Sequence, residues 1–332
     1  MKKVVWGVLS TAKIGVKQVI PAMQLSPWCD MRAIASRSLP AAQAAADALG
    51  LAKAYGSYEE LIADPEIEAI YNPLPNHLHI PLTLQAARAG KHVLCEKPFS
   101  LTAAEAEQLR EVAGRVHIME AFMVRFHPQW QRVRELVRAG RIGTPRAVQV
   151  FFSYFNDDPG NIRNQADIGG GALFDIGCYA IVAGRDLFEA DPARVIALVD
   201  RDPALGTDRT TSALADFGSG RQLGFTVSTQ AQRYQRLNIV GTSGRIEVLI
   251  PFNAPQGEAT TILVDTTGAL DGSGVERETL QPCDQYTLQG EAFSRAVRAE
   301  VMLPYGLDDA VMNMRIIDAL LRSEHSGRWE AP

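Results

Sequence analysis

Short apolar runs alternate with stretches of helical periodicity from Lys3 to Glu120, and this alternation limits the fold more than any other feature of the chain. Strands are expected at Lys3–Leu9, Met31–Ala35, Glu68–Tyr71, Val93–Cys95 and Val116–Glu120. Helical patterns lie between them: Pro40–Leu49, a short one near Tyr58–Ala63, one with Ile80, Leu84 and Ala87 on a face and Gly90 as its stop, and Thr102–Val112. Strands separated in this way build βαβ units, and βαβ units build a parallel sheet. The fold class is therefore α/β, with an N-terminal Rossmann-type sheet over residues 1–121.

The pattern changes after Ala121. Pro128–Ala139 is one amphipathic helix, with Trp130, Val133 and Val137 on a face and Gly140 as its stop. Period-two alternation follows, as in Leu223, Phe225 and Val227 against Gln222, Gly224 and Thr226, the mark of a half-buried strand. Gly218–Gly220 and Gly241–Gly244 read as hairpin turns between such strands. Residues 122–332 should form an α+β domain with a large, mainly antiparallel sheet. Two helical patterns close the chain, and the last has a face that suits packing back on the first domain.

Composition narrows the class further. A net charge of −5 without any basic tract argues against nucleic acid or an anionic membrane as partner. No apolar run approaches the ~20 residues of a membrane span. The N-terminus reads as a first strand and not as a signal peptide. Cys29, Cys95, Cys178 and Cys283 have no paired spacing, which suits reduced thiols in the cytoplasm rather than a disulfide frame or a metal site.

Three stretches carry chemistry. His92–Phe99 reads His-Val-Leu-Cys-Glu-Lys-Pro-Phe. It sets Lys97 at the carboxyl end of a buried strand, the edge where open α/β sheets bind ligands, and Pro98 holds Lys97 extended. Ser10-Thr11-Ala12-Lys13-Ile14-Gly15 stands between the first strand and first helix, where a Gly-x-Gly-x-x-Gly turn would carry a dinucleotide pyrophosphate. The second strand ends at Ser36-Arg37, where an acid would bind an NAD ribose; a hydroxyl and a guanidinium suit a 2′-phosphate instead. The third stretch is Gly169-Gly170-Gly171 and the helix that follows, with Asp175 and Tyr179 four residues apart on one face. His77 and His79 have no third metal ligand nearby, so capping or packing is their expected role.

Together the Ser10–Gly15 turn, Pro75-Asn76-His77-Leu78-His79, Glu96-Lys97-Pro98 and Gly169–Tyr179 resemble the Gfo/Idh/MocA family of nicotinamide-dependent oxidoreductases. The tyrosine at 179, with Asn72–His77 and Glu120–Pro128, is similar to the glucose–fructose oxidoreductase, D-xylose dehydrogenase and dihydrodiol dehydrogenase branch. The resemblance implies NADP in preference to NAD, held by Ser10, Thr11, Ala12, Lys13, Ile14, Ser36, Arg37, Asn72, Pro73, Leu74, Asn76, His79, Glu96 and Lys97. It implies a substrate over the nicotinamide, with Tyr179 as acid–base, Lys97 lowering its pKa, and Asp175 orienting Lys97 or a sugar hydroxyl. Arg125, His127, Phe155, Asn156 and Arg163 are candidates for the substrate wall. The implied activity is an aldose 1-dehydrogenase; a trans-dihydrodiol dehydrogenase or dicarbonyl reductase, and a cofactor-sensing regulatory protein, are the alternatives. A homo-oligomer, dimer or dimer of dimers, is also implied.

Overall fold

The computed structural model describes residues 2–332. The chain divides into two units, Met1–Met123 with Asp284–Val311, and Val124–Cys283 with Met312–Pro332.

The first unit is built on six parallel strands: β1 (Val4–Leu9), β2 (Cys29–Ala35), β3 (Lys53–Tyr55), β4 (Ala69–Asn72), β5 (His92–Cys95) and β6 (Ile118–Glu120). Their order is β3-β2-β1-β4-β5-β6, so connections run outward in both directions from the β1/β4 junction. That junction is the switch point where such sheets open a crevice beyond the strands' carboxyl ends. β3 is three residues long and was not legible as a strand. The expected helix Thr102–Val112 is an α-helix only over Ala103–Glu107 and tightens to a 3₁₀ turn over Gln108–Val112, with the Thr102 hydroxyl as its cap. Helix Leu39–Leu49 starts on the Ser38 hydroxyl and stops at Gly50, which takes φ +66°.

The helix Gln285–Val297 belongs to this unit. Side-chain complementarity far apart in the chain brings it there. Trp6 Nε1 donates to Ser294 Oγ at 3.1 Å, and the Trp6 and Phe293 rings lie 5.3 Å apart. Gly290 allows the close approach, since a Cβ there would fall 2.6 Å from Met23 Cγ. Arg298 donates twice to Glu68, at 2.6 and 2.9 Å, and Glu68 also accepts the Val5 amide. Burial opposes the Glu68 charge, but these donors hold its carboxyl down at about 2.

The second unit carries eight strands: β7 (Pro145–Phe155), β8 (Arg194–Arg201), β9 (Asp208–Asp216), β10 (Gln222–Ser228), β11 (Gln230–Gly241), β12 (Arg245–Val248), β13 (Thr260–Asp265) and β14 (Val275–Leu280). Their order is β14-β13-β12-β11-β7-β10-β9-β8. Every pairing is antiparallel except β7 with β10, and both expected hairpins, β9–β10 and β11–β12, are present. Val148, Val150, Phe152, Phe225 and Ile239 point to the buried face. Among the described residues one helical stretch, Ala166–Phe188, is long and apolar enough to cross a membrane, contrary to the expectation that no apolar run approaches a span. It is 72% buried within the fold, so its apolar character is that of a core helix.

Candidate active site

Parallel strands place Ser10, Ser36, Asn72 and Glu96 at one edge of the first sheet. After β1 the chain turns at Ser10, which takes φ +82°, the conformation a fingerprint glycine usually supplies. The Ser10 hydroxyl accepts the Ala12 amide at 3.2 Å. The helix starts at Lys13, and its first internal bond runs from Val16 N to Ala12 O at 3.0 Å. The amides of Lys13, Ile14 and Gly15 precede that bond, so they point out of the helix N-terminus as a pyrophosphate requires. A Cβ at Gly15 would meet only ordinary contacts at 3.6 Å, so packing does not demand glycine there. At the end of β2, Ser36 is half-buried and Arg37 exposed. These residues fit a dinucleotide with a phosphorylated ribose.

Between β4 and the next helix, Asn72 is buried and its side chain is engaged within the unit. Its amide donates to His79 O and Thr83 Oγ1, both at 3.2 Å, and its oxygen accepts the Leu74 amide at 3.3 Å. Asn72 thus shapes the loop that presents Pro73, Leu74 and Asn76. The two ring nitrogens of His79 face the Leu74 carbonyl at 2.6 Å and the Pro98 carbonyl at 2.8 Å, which ties that loop to the Lys97 segment. Burial pushes the His79 imidazole down to about 4.

Lys97 follows β5, in a cis peptide with Pro98. Side chains, not a ladder, fix the segment. The Lys97 amide donates to Glu96 Oε2 at 3.2 Å, and the Tyr71 hydroxyl donates to Glu96 Oε1 at 2.7 Å. The Phe99 amide donates to Glu120 Oε1 at 2.9 Å, and Glu120 is itself buried at the end of β6. The backbone on each side of Lys97 is thereby anchored while its side chain stays half-exposed.

In the second unit Gly169–Gly171 leads into a five-residue π-helical turn, Leu173–Gly177, and then the helix Cys178–Phe188. Asp175 and Tyr179 stand on these two segments. Arg163 Nε donates to Asp175 Oδ1 at 3.0 Å, and the Tyr154 hydroxyl donates to Oδ2 at 2.5 Å. Tyr154 was missed by the sequence reading, because its contact with Asp175 spans 21 residues with no local spacing to announce it. The Tyr179 ring is 5% exposed and seated between Phe152 and Phe252, at centroid distances of 6.0 and 5.5 Å.

Of the expected substrate residues, Arg163 reaches Asp175. Arg125 is buried beside Asp186, with 3.8 Å between Nε and Oδ1. His127 caps the helix Pro128–Arg138, its Nδ1 accepting the Gln129 amide at 3.0 Å; its ring is buried and pushed down to about 4. Phe155 is 64% exposed at the end of β7, and the Asn156 carbonyl accepts from Asn164 Nδ2 at 3.3 Å.

A doubly wound parallel sheet with outward-pointing helix amides after β1 is the architecture of a dinucleotide-binding domain. Comparison with known proteins agrees. Residues 4–124 match the oxidoreductase family with an NAD-binding Rossmann fold, and residues 130–247 match the GFO/IDH/MocA C-terminal domain. The chain belongs to the Gfo/Idh/MocA family of oxidoreductases. It is 45% identical to an uncharacterised oxidoreductase of Rhizobium meliloti, over 99% of both chains. It is 41% identical to a D-xylose 1-dehydrogenase (NADP(+)) of Haloferax volcanii, over 97% of this chain and 98% of that one. A solved 3-ketoreductase from Actinomadura kijaniata, in complex with NADP and TDP-benzene, superposes with TM-score 0.90 and 29% identity, covering 97% and 98% of the two chains. Solved variants of that ketoreductase carry a tyrosine-to-phenylalanine and a lysine-to-alanine substitution.

Proposed function

We propose that the chain is an NADP-dependent aldose 1-dehydrogenase, oxidising a pyranose such as D-xylose or D-glucose to its lactone. The observation that carries this reading is the Lys97 segment, whose backbone is anchored by Glu96 and Glu120 at the sheet's ligand edge. Likeness to the Haloferax dehydrogenase over nearly the whole chain supports the sugar and NADP. The ketoreductase, whose studied variants alter a tyrosine and a lysine, supports the pair of residue types.

The bare amides of Lys13, Ile14 and Gly15 take the pyrophosphate, and Ser36 with Arg37 takes the 2′-phosphate in bidentate fashion. NADP held there would supply the hydride acceptor for oxidation at C1. Tyr179 takes the hydroxyl proton in the same step, and the C1–O bond becomes the lactone carbonyl. A phenol with a pKa of about 10 is a poor base at neutral pH. In this reading Lys97 favours the phenolate by about 1–3 units. Asp175, with Tyr154 and Arg163, holds sugar hydroxyls.

The chain further reads as a cytoplasmic homodimer. Cys29, Cys95 and Cys178 are buried and not joined in disulfides, which suits a reducing compartment. Phe151, Leu198, Leu214 and Tyr234 expose 38–77% of their surface on the outer face of the eight-stranded sheet, which suits a second copy.

Following NADPH absorbance with a panel of sugars, diols and dicarbonyls tests the function. NADP reduction by D-xylose or D-glucose is expected. Turnover confined to diols or dicarbonyls would replace the sugar reading, and NADP binding without any turnover would make the chain a sensor.

A further inference from the structure

The helical segment that carries Asp175 and Tyr179 has no local cap: Ala172, just before it, offers no side-chain acceptor. The acceptor comes from another element. Asp208, at the start of β9, accepts the Leu173 amide on Oδ2 at 2.7 Å, across 35 residues of chain. Thr211 Oγ1 donates to the same oxygen at 2.7 Å.

The other carboxylate oxygen decides the residue at 171. A Cβ there would lie 1.8 Å from Asp208 Oδ1, and φ is +121°, so the position admits only glycine. The neighbouring glycine carries the arrangement onward. A Cβ at Gly170 would fall 2.6 Å from Arg163 O and 2.7 Å from Gln165 O. The Gly171 amide donates to that Arg163 carbonyl at 2.8 Å, and the Gly170 amide to Gln165 O at 2.9 Å. One carboxylate therefore seats the helix start and the glycine run. The glycine run seats the loop whose Arg163 guanidinium reaches Asp175 at 3.0 Å.

Asp208 is 4% exposed, and burial pushes its carboxyl up to about 6 against the pull of Thr211 and the Leu173 amide. The proton and hydride transfers above have no use for it. An acid buried at such electrostatic cost, with donors from two elements, has a geometric task.

We propose that Asp208 is a positioning residue for the reaction: by binding the Leu173 amide and closing against Gly171, it sets the start of the helix and hence the stance of Asp175 and Tyr179. This rests on the reading of Tyr179 as the acid–base group. The lever is large, because sliding an α-helix by one residue in its register turns the face it presents by about 100°. A displacement of about 1 Å at reacting groups is enough to lower turnover by about 100-fold.

The test compares Asp208→Ala, Asp208→Asn and Thr211→Val. Its readouts are kcat and KM with the sugar that turns over, NADP affinity, and amide hydrogen exchange. For Asp208→Ala, kcat should fall at least about 30-fold with NADP affinity held within about twofold. Faster exchange should be confined to residues 171–178. Asn keeps one carbonyl acceptor and should recover kcat to within about fivefold of the parent, while Thr211→Val should lose about two- to fivefold. An Asp208→Ala protein with kcat within about twofold of the parent would overturn the proposal, as would exchange that rises evenly across the second unit. If Asp208→Ala does not fold, Thr211→Val decides by the same two readouts. Exchange at 171–178 reports on Asp208 whatever the chemistry, whereas full turnover in Tyr179→Phe would remove the acid–base reading alone.

Discussion

The Lys97 segment and the Tyr179 helix are held by different chemistry. Around Lys97 the anchors are polar and short: two carboxylates accept backbone amides, and a buried imidazole faces two carbonyls. Around Tyr179 they are apolar, with the ring seated on Phe152 and Phe252, and one remote carboxylate at the helix start. Hydrogen bonds fix direction within a few tenths of an ångström but depend on protonation. Packing is indifferent to pH but yields when volume is removed. A cation on an anchored backbone and a tyrosine seated in a hydrophobic wall thus fail under different insults, and that contrast can be attacked from both sides.

The largest effects should come from the two side chains themselves. Lys97→Met and Tyr179→Phe should each lower kcat by about 10²–10⁴-fold, with NADP affinity changed by less than about threefold, in steady-state assays and cofactor titration. Next is Phe252→Ala. Phe252 is fully buried and also stacks on Phe152 at 4.7 Å, so calorimetry should show about 3–5 kcal/mol of lost stability. The same truncation should leave NADP affinity unchanged.

Two buried groups, His79 and Asp208, should then answer acid in opposite senses. His79 has a folded pKa below its unfolded 6.5, so its stabilising effect is present above pH 6.5 and is lost as pH falls toward 4, on the order of 3 kcal/mol. Asp208 has a folded pKa raised above 3.8, so its contribution is greatest below that value and is lost as pH rises through 6. Hydrogen exchange between pH 7 and 5 should show amides around Leu74 and Pro98 losing protection, and His79→Gln should flatten that loss. Asp208→Asn should flatten the opposite trend near Leu173. The smallest effect is on cofactor choice: Arg37→Ala should raise KM for NADP about tenfold and leave KM for NAD unchanged.

The same contrast explains what was legible in the sequence. In the first unit strands and helices announce themselves locally, through alternating patterns, the Ser38 cap and the Gly50 stop, and βαβ connectivity then dictates the sheet. What escaped there was short or distant: β3, and the docking of the helix Gln285–Val297, which depends on Trp6 meeting Phe293 across the chain. In the second unit the hairpins were legible because Gly218–Gly220 and Gly241–Gly244 mark them. β7 was not, since Phe151, Tyr154 and Phe155 blur the alternation of Val148, Val150 and Phe152. Its parallel pairing with β10 has no local signal at all. Lys97, Asp175 and Tyr179 stood out through their motifs, while Glu120, Asp208 and Tyr154, which fix or engage them, contribute through contacts 21–35 residues away.

The central proposal is that Tyr179 is the acid–base group and that Lys97 favours its phenolate. The pH dependence of kcat/KM for sugar oxidation, in the parent and in Lys97→Met, measures it directly. The parent should rise with a midpoint about 1–3 units below the free phenol's of about 10, and the variant's residual activity should rise near 10. A variant whose midpoint coincides with the parent's would contradict the claim.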